Sequence, residues 1–164
     1  MRWHGIGYRA QEPYGTPAPI DGDIELPTTG ELQVATVRPL YLALTLEGLL
    51  LETGQGFGNR FDPLTIRAYE VDVEDIVDLR TEADRAAAGV ELASMACSWQ
   101  FDSLTRRFIP SWALADDLIA QGAAGMLAPS LAINARPSMA NLVLWRWGPK
   151  LPYRVSAVGR KLHL

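Results

Sequence analysis

Short apolar runs and stretches of alternating apolar and polar residues predict the strands of this chain. ELQVATV, residues 31–37, alternates and predicts a strand, whereas the apolar run LYLA, residues 40–43, predicts a buried one. LTIRAYEVDV, residues 64–73, is rich in β-branched and aromatic residues and predicts another. The remaining predicted strands are GIGYRA at residues 5–10, GMLAPS at 125–130, NLVLWRW at 141–147 and YRVSAV at 153–158.

A predicted helix follows the LYLA run directly. Thr45 is a suitable N-cap for a helix over residues 46–53. Its predicted apolar stripe, at the i, i+3, i+4 spacing, consists of Leu46, Leu49 and Leu50. Glu52 lies on the flank of this stripe and Glu47 points away from it, so the two carboxylates need not share one environment.

Further helices and strands are mixed without regular β-α alternation. TEADRAAAG begins with a capping threonine and ends on a glycine, which predicts a short helix over residues 81–89. Two more helices are predicted at VELASMACSWQFDSL, residues 90–104, and at SWALADDLIAQ, residues 111–121, where Gly122 ends the helix. Residues 11–30 are rich in proline and glycine and predict a long loop. The pattern predicts an α+β fold in one domain, residues 1–164.

Composition and charge exclude several classes of protein. The 164 residues are 48% hydrophobic, which is enough for a packed core. A net charge of −4 and a pI near 5.1 argue against direct binding to nucleic acid through a basic patch. The longest apolar run is too short to span a bilayer, no secretory signal is visible, and Cys97 is the one cysteine. We therefore expect a soluble, cytoplasmic protein without membrane contact.

The common catalytic and cofactor motifs are absent from the sequence. Its two histidines, His4 and His163, stand at opposite ends of the chain, so we expect no metal site. The sequence has no P-loop, no G-x-S-x-G elbow and no complete dinucleotide fingerprint. By elimination, any chemistry depends on Arg, Tyr, Glu, Ser and Asn. Taken singly, such residues are usually structural: a glutamate ending an apolar helix, such as Glu52, is most often solvated.

Three separated segments resemble the RES-domain family, the toxins of type II toxin–antitoxin modules. They are YRA near the start, LYLALTLEGLLLE in the first third, and GAAGMLAPS followed by NLVLW near the end. The family is named for an arginine, a glutamate and a serine, and the positions that match are Arg9, Glu52 and Ser130. Tyr41 matches a tyrosine of the strand before the glutamate helix, and Asn141 matches an asparagine of the late strand.

This resemblance implies a fold like that of the ADP-ribosyltransferase toxins, with a mixed, strongly twisted sheet flanked by helices, and NAD+ as substrate without a metal. Glu52 would stabilise the sugar cation, and Arg9 would hold the pyrophosphate. Tyr41 would stack on nicotinamide or lend its hydroxyl. Ser130 would hydrogen-bond the nicotinamide-side ribose or amide. Asn141 would orient Ser130 or the loop and contribute to NAD+ binding.

The resemblance also implies a reaction and a partner. Members cleave the nicotinamide–ribose bond and pass ADP-ribose to water, to phosphate or to a protein such as phosphoribosyl-pyrophosphate synthetase. Residues 69–97 look most like the protein-modifying ParT branch. A small helical antitoxin would occlude the active site.

One segment departs from the family pattern. Where members usually have Gly-Gly-Arg-Phe-Asn, this chain reads TGELQ, which places Glu31 at the position of a second phosphate-binding arginine. The departure leaves two interpretations. Either Arg38 or another arginine supplies the missing charge, or the chain is a weakened member that acts only by binding its antitoxin.

Overall fold

A mixed β-sheet forms the centre of the molecule. The computed structural model describes residues 1–11, 39–56, 65–95, 110–159 and 162–163. The strands in these ranges are β1 (Trp3–Gln11), β2 (Leu40–Ala43), β3 (Thr65–Val73), β4 (Ile76–Asp78), β5 (Gly125–Pro129), β6 (Ala140–Leu144), β7 (Tyr153–Ala157) and β8 (Leu162–His163). They run in the order β4-β5-β6-β2-β1-β3-β7, and β8 also pairs with β3. The β4–β5 pair is parallel and the other pairs are antiparallel.

Four helices accompany the sheet within the described ranges. They are α1 (Leu46–Gly56), α2 (Glu82–Ala88), α3 (Leu92–Met95) and α4 (Pro110–Ala120). The predicted α+β fold with a mixed sheet and flanking helices is confirmed. Among the described helices, none has the length and apolar character needed to cross a membrane.

The sheet has two parts that meet between β1 and β2. Strand β1 pairs with β3 at nine positions, from Trp3 to Gln11, and β2 pairs with β6 at four. Between β1 and β2, however, one pair is in register, Tyr8 with Ala43. The strands approach closely there because Gly7 has no side chain: a Cβ on Gly7 would lie 2.8 Å from the Cβ of Leu42. We call this junction the seam.

The two faces of the sheet carry different contacts. Alternation along the strands sends Leu42, Leu127 and Leu142 to one face, where they join the largest buried cluster. On the other face, α1 packs through Leu49 against Ala43 and Ile66. Farther along the same face, α4 and its neighbours pack against Val143 and Trp145. The register therefore places Tyr41 and Asn141 between these two packed areas.

Most predicted elements that fall within the described residues are present. Thr81 caps α2 through the backbone N–H of Asp84, and Gly89 ends the helix with a φ of 66°. The predicted helix at residues 111–121 begins one residue earlier, at Pro110. The strand ELQVATV, residues 96–104 of the third helix, and most of the loop at 11–30 lie outside the described residues.

The predicted apolar stripe of α1 is wrong in part. Leu49 is buried, but Leu46 and Leu50 are 46% and 52% exposed. The buried side of the helix also contains Gly48, which packs close to Met139. The helix is thus turned so that Gly48, Leu49 and the flanking Glu52 face the sheet. Spacing alone does not reveal this, because the side of a helix that is buried depends on the fit to its packing partners and not only on hydrophobicity.

Candidate active site around Glu52

Glu52 accepts two hydrogen bonds on one of its carboxylate oxygens. The Ser130 hydroxyl donates to Oε1 at 2.6 Å, and the Asn141 side-chain amide donates to the same atom at 2.8 Å. Glu52 is half-buried, and its two donors are distant in the chain: Ser130 lies 78 positions later and Asn141 lies 89 positions later. Glu52 is therefore held by donors at the end of β5 and the start of β6, two neighbouring strands inside the sheet.

Helix α1 positions Glu52 through its own N-terminus. The Thr45 hydroxyl accepts a hydrogen bond from the Gly48 N–H at 3.0 Å and caps the helix as predicted. Gly48 sits close to Met139, and Leu49 packs on Ala43 and Ile66. These contacts fix the rotation of the helix, and Glu52, one turn beyond Gly48, is turned toward Ser130 and Asn141.

The two donors come from the ends of one short segment. Residues 130–139, the β5–β6 connection, begin with Ser130 and end just before β6, which carries Asn141. The Ser130 N–H donates to the Met139 carbonyl at 3.0 Å and closes the segment at its base. Asn141 pairs across the sheet with two alanines, Ala43 and Ala128. Such small neighbours leave room on this face for the Asn141 amide to reach Glu52.

The second oxygen of Glu52, Oε2, accepts no hydrogen bond from any side chain or backbone group in the described ranges. A carboxylate with one oxygen fixed and the other open is a rigid negative group. It can accept a hydrogen bond from a ligand hydroxyl, and it can stabilise a positive charge that develops nearby.

Tyr41 lies beside this cluster on the same face of the sheet. It pairs with Val143, and is therefore diagonal to Asn141 two residues along β6. Its side chain is 57% exposed, so a large part of its ring is accessible to a ligand. Partial removal of its hydroxyl from water raises the pKa of Tyr41 above the usual value for tyrosine. The phenol is thus neutral at physiological pH.

Arg9 lies across the seam from Tyr41. It is half-buried and pairs with Arg67 in the β1–β3 register. Tyr8 and Ala10 face α1, so alternation puts Arg9 on the opposite face, the face of Gly7. Among the described residues, Arg9 makes no contact with Glu52, Ser130 or Asn141. The structure brings together Glu52, Ser130 and Asn141, places Tyr41 next to them, and leaves Arg9 at the seam.

Sequence reasoning missed a second link between α1 and the β5–β6 connection. Arg136 forms an ion pair with Glu47, in the first turn of α1. No periodicity or motif connects these residues, which are 89 positions apart. Glu31 and Arg38 lie outside the described residues. Among the residues described, no three His, Cys, Asp or Glu side chains are grouped as they would be to hold a metal ion.

The fold and this cluster define a class: α+β domains with a mixed sheet and a carboxylate held beside the ends of two sheet strands by a hydroxyl and an amide. Comparison with known proteins identifies the family. The RES domain model matches residues 6–164, and the chain belongs to the RES-domain family.

A solved structure shares the fold. It is described as the crystal structure of the M. tuberculosis MbcT–MbcA toxin–antitoxin complex. The superposition has a TM-score of 0.59 with 16% sequence identity, and covers 99% of this chain and 85% of the other. No match was found among the curated proteins.

Proposed function

We propose that this protein cleaves NAD+ at the bond between nicotinamide and ribose and transfers the ADP-ribosyl group to an acceptor. The observation that carries the proposal is the Glu52 carboxylate, with Oε1 fixed by Ser130 and Asn141 and Oε2 without a hydrogen bond from the described residues. Membership of the RES-domain family supports it. NAD+ is a substrate here, and no step of the reaction requires a metal.

The chemistry needs a fixed negative charge more than a strong acid. When the C–N glycosidic bond breaks, its electron pair goes to the nicotinamide nitrogen, and the cationic ring leaves as a neutral molecule. The ribose becomes an oxocarbenium-like cation, as in glycoside hydrolysis. Oε2 of Glu52 would stabilise that cation and accept a hydrogen bond from a ribose hydroxyl. The acceptor oxygen or nitrogen then bonds to the sugar carbon and releases its proton.

The other residues would position Glu52 or contact NAD+. Ser130 and Asn141 hold Glu52 in place, and Ser130 also borders the ribose. Tyr41, with its exposed ring and neutral hydroxyl, would stack on the nicotinamide. The resemblance assigns the pyrophosphate to Arg9, since a guanidinium can donate two parallel hydrogen bonds to a phosphate. Arg9 lies, however, on the face of the sheet opposite Tyr41 and Glu52.

The acceptor we propose is a protein side chain. Residues 69–97 look most like the ParT branch, whose members modify proteins such as phosphoribosyl-pyrophosphate synthetase. Water and phosphate are the other acceptors in the family, and labelled NAD+ distinguishes the three. With [³²P]NAD+, label on a protein band indicates a protein acceptor, whereas free ADP-ribose or its phosphorylated form indicates the other two.

We further propose that the protein is the toxin of a cytoplasmic toxin–antitoxin pair and that a helical antitoxin covers the Glu52 site. The fold shared with a chain of the MbcT–MbcA toxin–antitoxin complex supports this assignment. The antitoxin would be recognised as a protein that co-purifies with this chain and blocks its reaction with NAD+.

The test of the proposed function is nicotinamide release from NAD+ by the purified, antitoxin-free chain. We expect release by the wild type and a loss on the order of 10²–10³ in Glu52→Gln, which removes the negative charge. Circular dichroism and thermal unfolding verify that the variant is folded. A folded wild type without any release would contradict the catalytic proposal. It would instead favour the weakened, antitoxin-binding member that Glu31 suggests, and restored release in Glu31→Arg would support that interpretation.

A further inference from the structure

The Glu47–Arg136 ion pair joins the two segments that build the site. Glu47 lies on α1, five residues before Glu52, which corresponds to about 7.5 Å along the helix axis. Arg136 lies in the β5–β6 connection, six residues after Ser130. The same helix and the same connection are thus linked at two separate places, once by Ser130 and Glu52 and once by Arg136 and Glu47.

The connection is shaped by its own hydrogen bonds and by burial at its end. Its internal hydrogen bonds include those from the Ala132 N–H to the Ser130 hydroxyl, from the Ala135 N–H to the Ala132 carbonyl and from the Met139 N–H to the Arg136 carbonyl. Its side chains are largely in solvent, and Ile133 is 72% exposed. Met139, at its end, is buried next to Gly48. Between Ser130 and Met139, the Arg136 side chain thus links the connection directly to α1.

We infer that Glu47 and Arg136 are positioning residues for the reaction proposed above. Their ion pair holds the β5–β6 connection along α1, and this keeps the Ser130 hydroxyl at hydrogen-bond distance from Glu52. Neither residue touches the reacting atoms in this scheme. Glu47 also suits the first turn of a helix, where a negative charge is favoured. The inference rests on the proposed function, but the contact itself can be tested without NAD+.

The size of the effect follows from exposure. Glu47 and Arg136 have side chains 60% and 62% exposed, and such pairs are partly screened by water and salt. We therefore expect Arg136→Ala and Glu47→Ala each to lower kcat for nicotinamide release roughly two- to fivefold, as for an exposed pair. KM for NAD+ stays unchanged. The double variant is no slower than either single variant, because both remove the same contact.

Three further variants and conditions separate positioning from general destabilisation. Arg136→Lys keeps the charge and retains most of kcat. Salt of about 0.5 M lowers kcat of the wild type toward that of Arg136→Ala, and changes the variant less. Arg80→Ala breaks a partly exposed pair, Arg80 with Asp78, outside α1 and the connection, and leaves kcat unchanged. A KM increase confined to Arg136→Ala would overturn the inference, because it would indicate direct binding of substrate.

Hydrogen exchange measured by mass spectrometry provides the readout that does not need activity. In Arg136→Ala, amides of residues 131–139 should exchange roughly two- to fivefold faster than in the wild type, whereas Arg80→Ala leaves them unchanged. Unchanged exchange in Arg136→Ala would overturn the inference, as would faster exchange with an unaltered kcat. If the wild type releases no nicotinamide, the proposed function fails, and exchange still decides whether the pair holds the connection.

Discussion

The role of Asn141 can be tested by two substitutions, one that removes its amide and one that replaces the amide with a carboxylate. Its amide donates to a carboxylate, and hydrogen bonds to charged groups are worth about 1.5–3 kcal/mol. We expect Asn141→Ala to lower kcat for nicotinamide release by roughly ten- to a hundredfold. Asn141→Asp, of nearly the same shape, should be worse, since it sets a second carboxylate against Glu52. Steady-state kinetics of the two variants measure this, and equal rates for Asn141→Asp and the wild type would contradict it.

Tyr41 is expected to act through its ring. Tyr41→Phe should retain most of the activity, whereas Tyr41→Ala should raise KM for NAD+ about tenfold, since base–aromatic stacking is worth roughly 1–3 kcal/mol. The pKa of the Tyr41 hydroxyl is raised above its usual value. Between pH 6 and pH 9, kcat should therefore depend on pH in the same way in Tyr41→Phe and in the wild type. A pH-dependent step that is present in the wild type and absent from Tyr41→Phe would show that the hydroxyl itself takes part.

At this scale, the sequence singles out residues that the structure brings together, but it does not reveal their contacts. Glu52, Ser130 and Asn141 were singled out by resemblance, but that Ser130 and Asn141 donate to one oxygen depends on the rotation of α1 and on the pairing of β2 with β6. The Arg136–Glu47 pair carries no local signal, since long-range contacts leave no trace in a single sequence.

At the scale of elements, two threonine caps offer a matched comparison. Thr45 caps α1 and Thr81 caps α2, each through its hydroxyl and the N–H three residues on. Thr45→Ala and Thr81→Ala should each lower the free energy of unfolding by about 1 kcal/mol. Only Thr45→Ala should also lower kcat, because α1 carries Glu52. Urea unfolding and nicotinamide release test both halves, and an equal loss of kcat in Thr81→Ala would contradict the second.

Local signals were sufficient for most strands and helix ends but not for the arrangement of the sheet. LYLA and the capping residues Thr45 and Thr81 follow from residue type, because propensity and capping act over a few neighbours. The seam depends on Gly7 meeting Leu42, residues that are distant in sequence. The exposed Leu46 and Leu50 likewise show that packing partners, and not spacing, decide which side of α1 is buried.

At the scale of the whole molecule, charged groups connect strands that are far apart in the chain. Arg2 donates two hydrogen bonds to Asp72 on β3, at 2.7 and 2.8 Å, and Arg154 on β7 lies 3.8 Å from the same carboxylate. The Tyr153 hydroxyl donates to Asp75 at 2.7 Å. The start of the chain, β3 and β7 are thereby held at one side of the sheet.

This network predicts an acid-sensitive part of the stability. The hydrogen bonds from Arg2 hold the pKa of Asp72 below its usual value. The folded state therefore binds this proton less readily than the unfolded chain, and the stabilisation is present above about pH 4 and lost as the pH falls further. Asp72→Asn should lower Tm at pH 7 and show a smaller fall in Tm between pH 5 and pH 2. Parallel Tm curves for variant and wild type would contradict this assignment.

The two hydrogen bonds on one oxygen of Glu52 have a consequence that follows from symmetry. A carboxylate turned by half a rotation about its last C–C bond exchanges Oε1 with Oε2 and restores the same arrangement, so neither orientation is unproductive. The amide in Glu52→Gln has no such symmetry, because its oxygen accepts while its NH₂ group only donates. Facing two donors, Ser130 and Asn141, it has one satisfactory orientation, with the oxygen toward them and the NH₂ toward the ligand side. The substitution thus preserves the internal contacts and replaces an acceptor with a donor at the place where the sugar would lie.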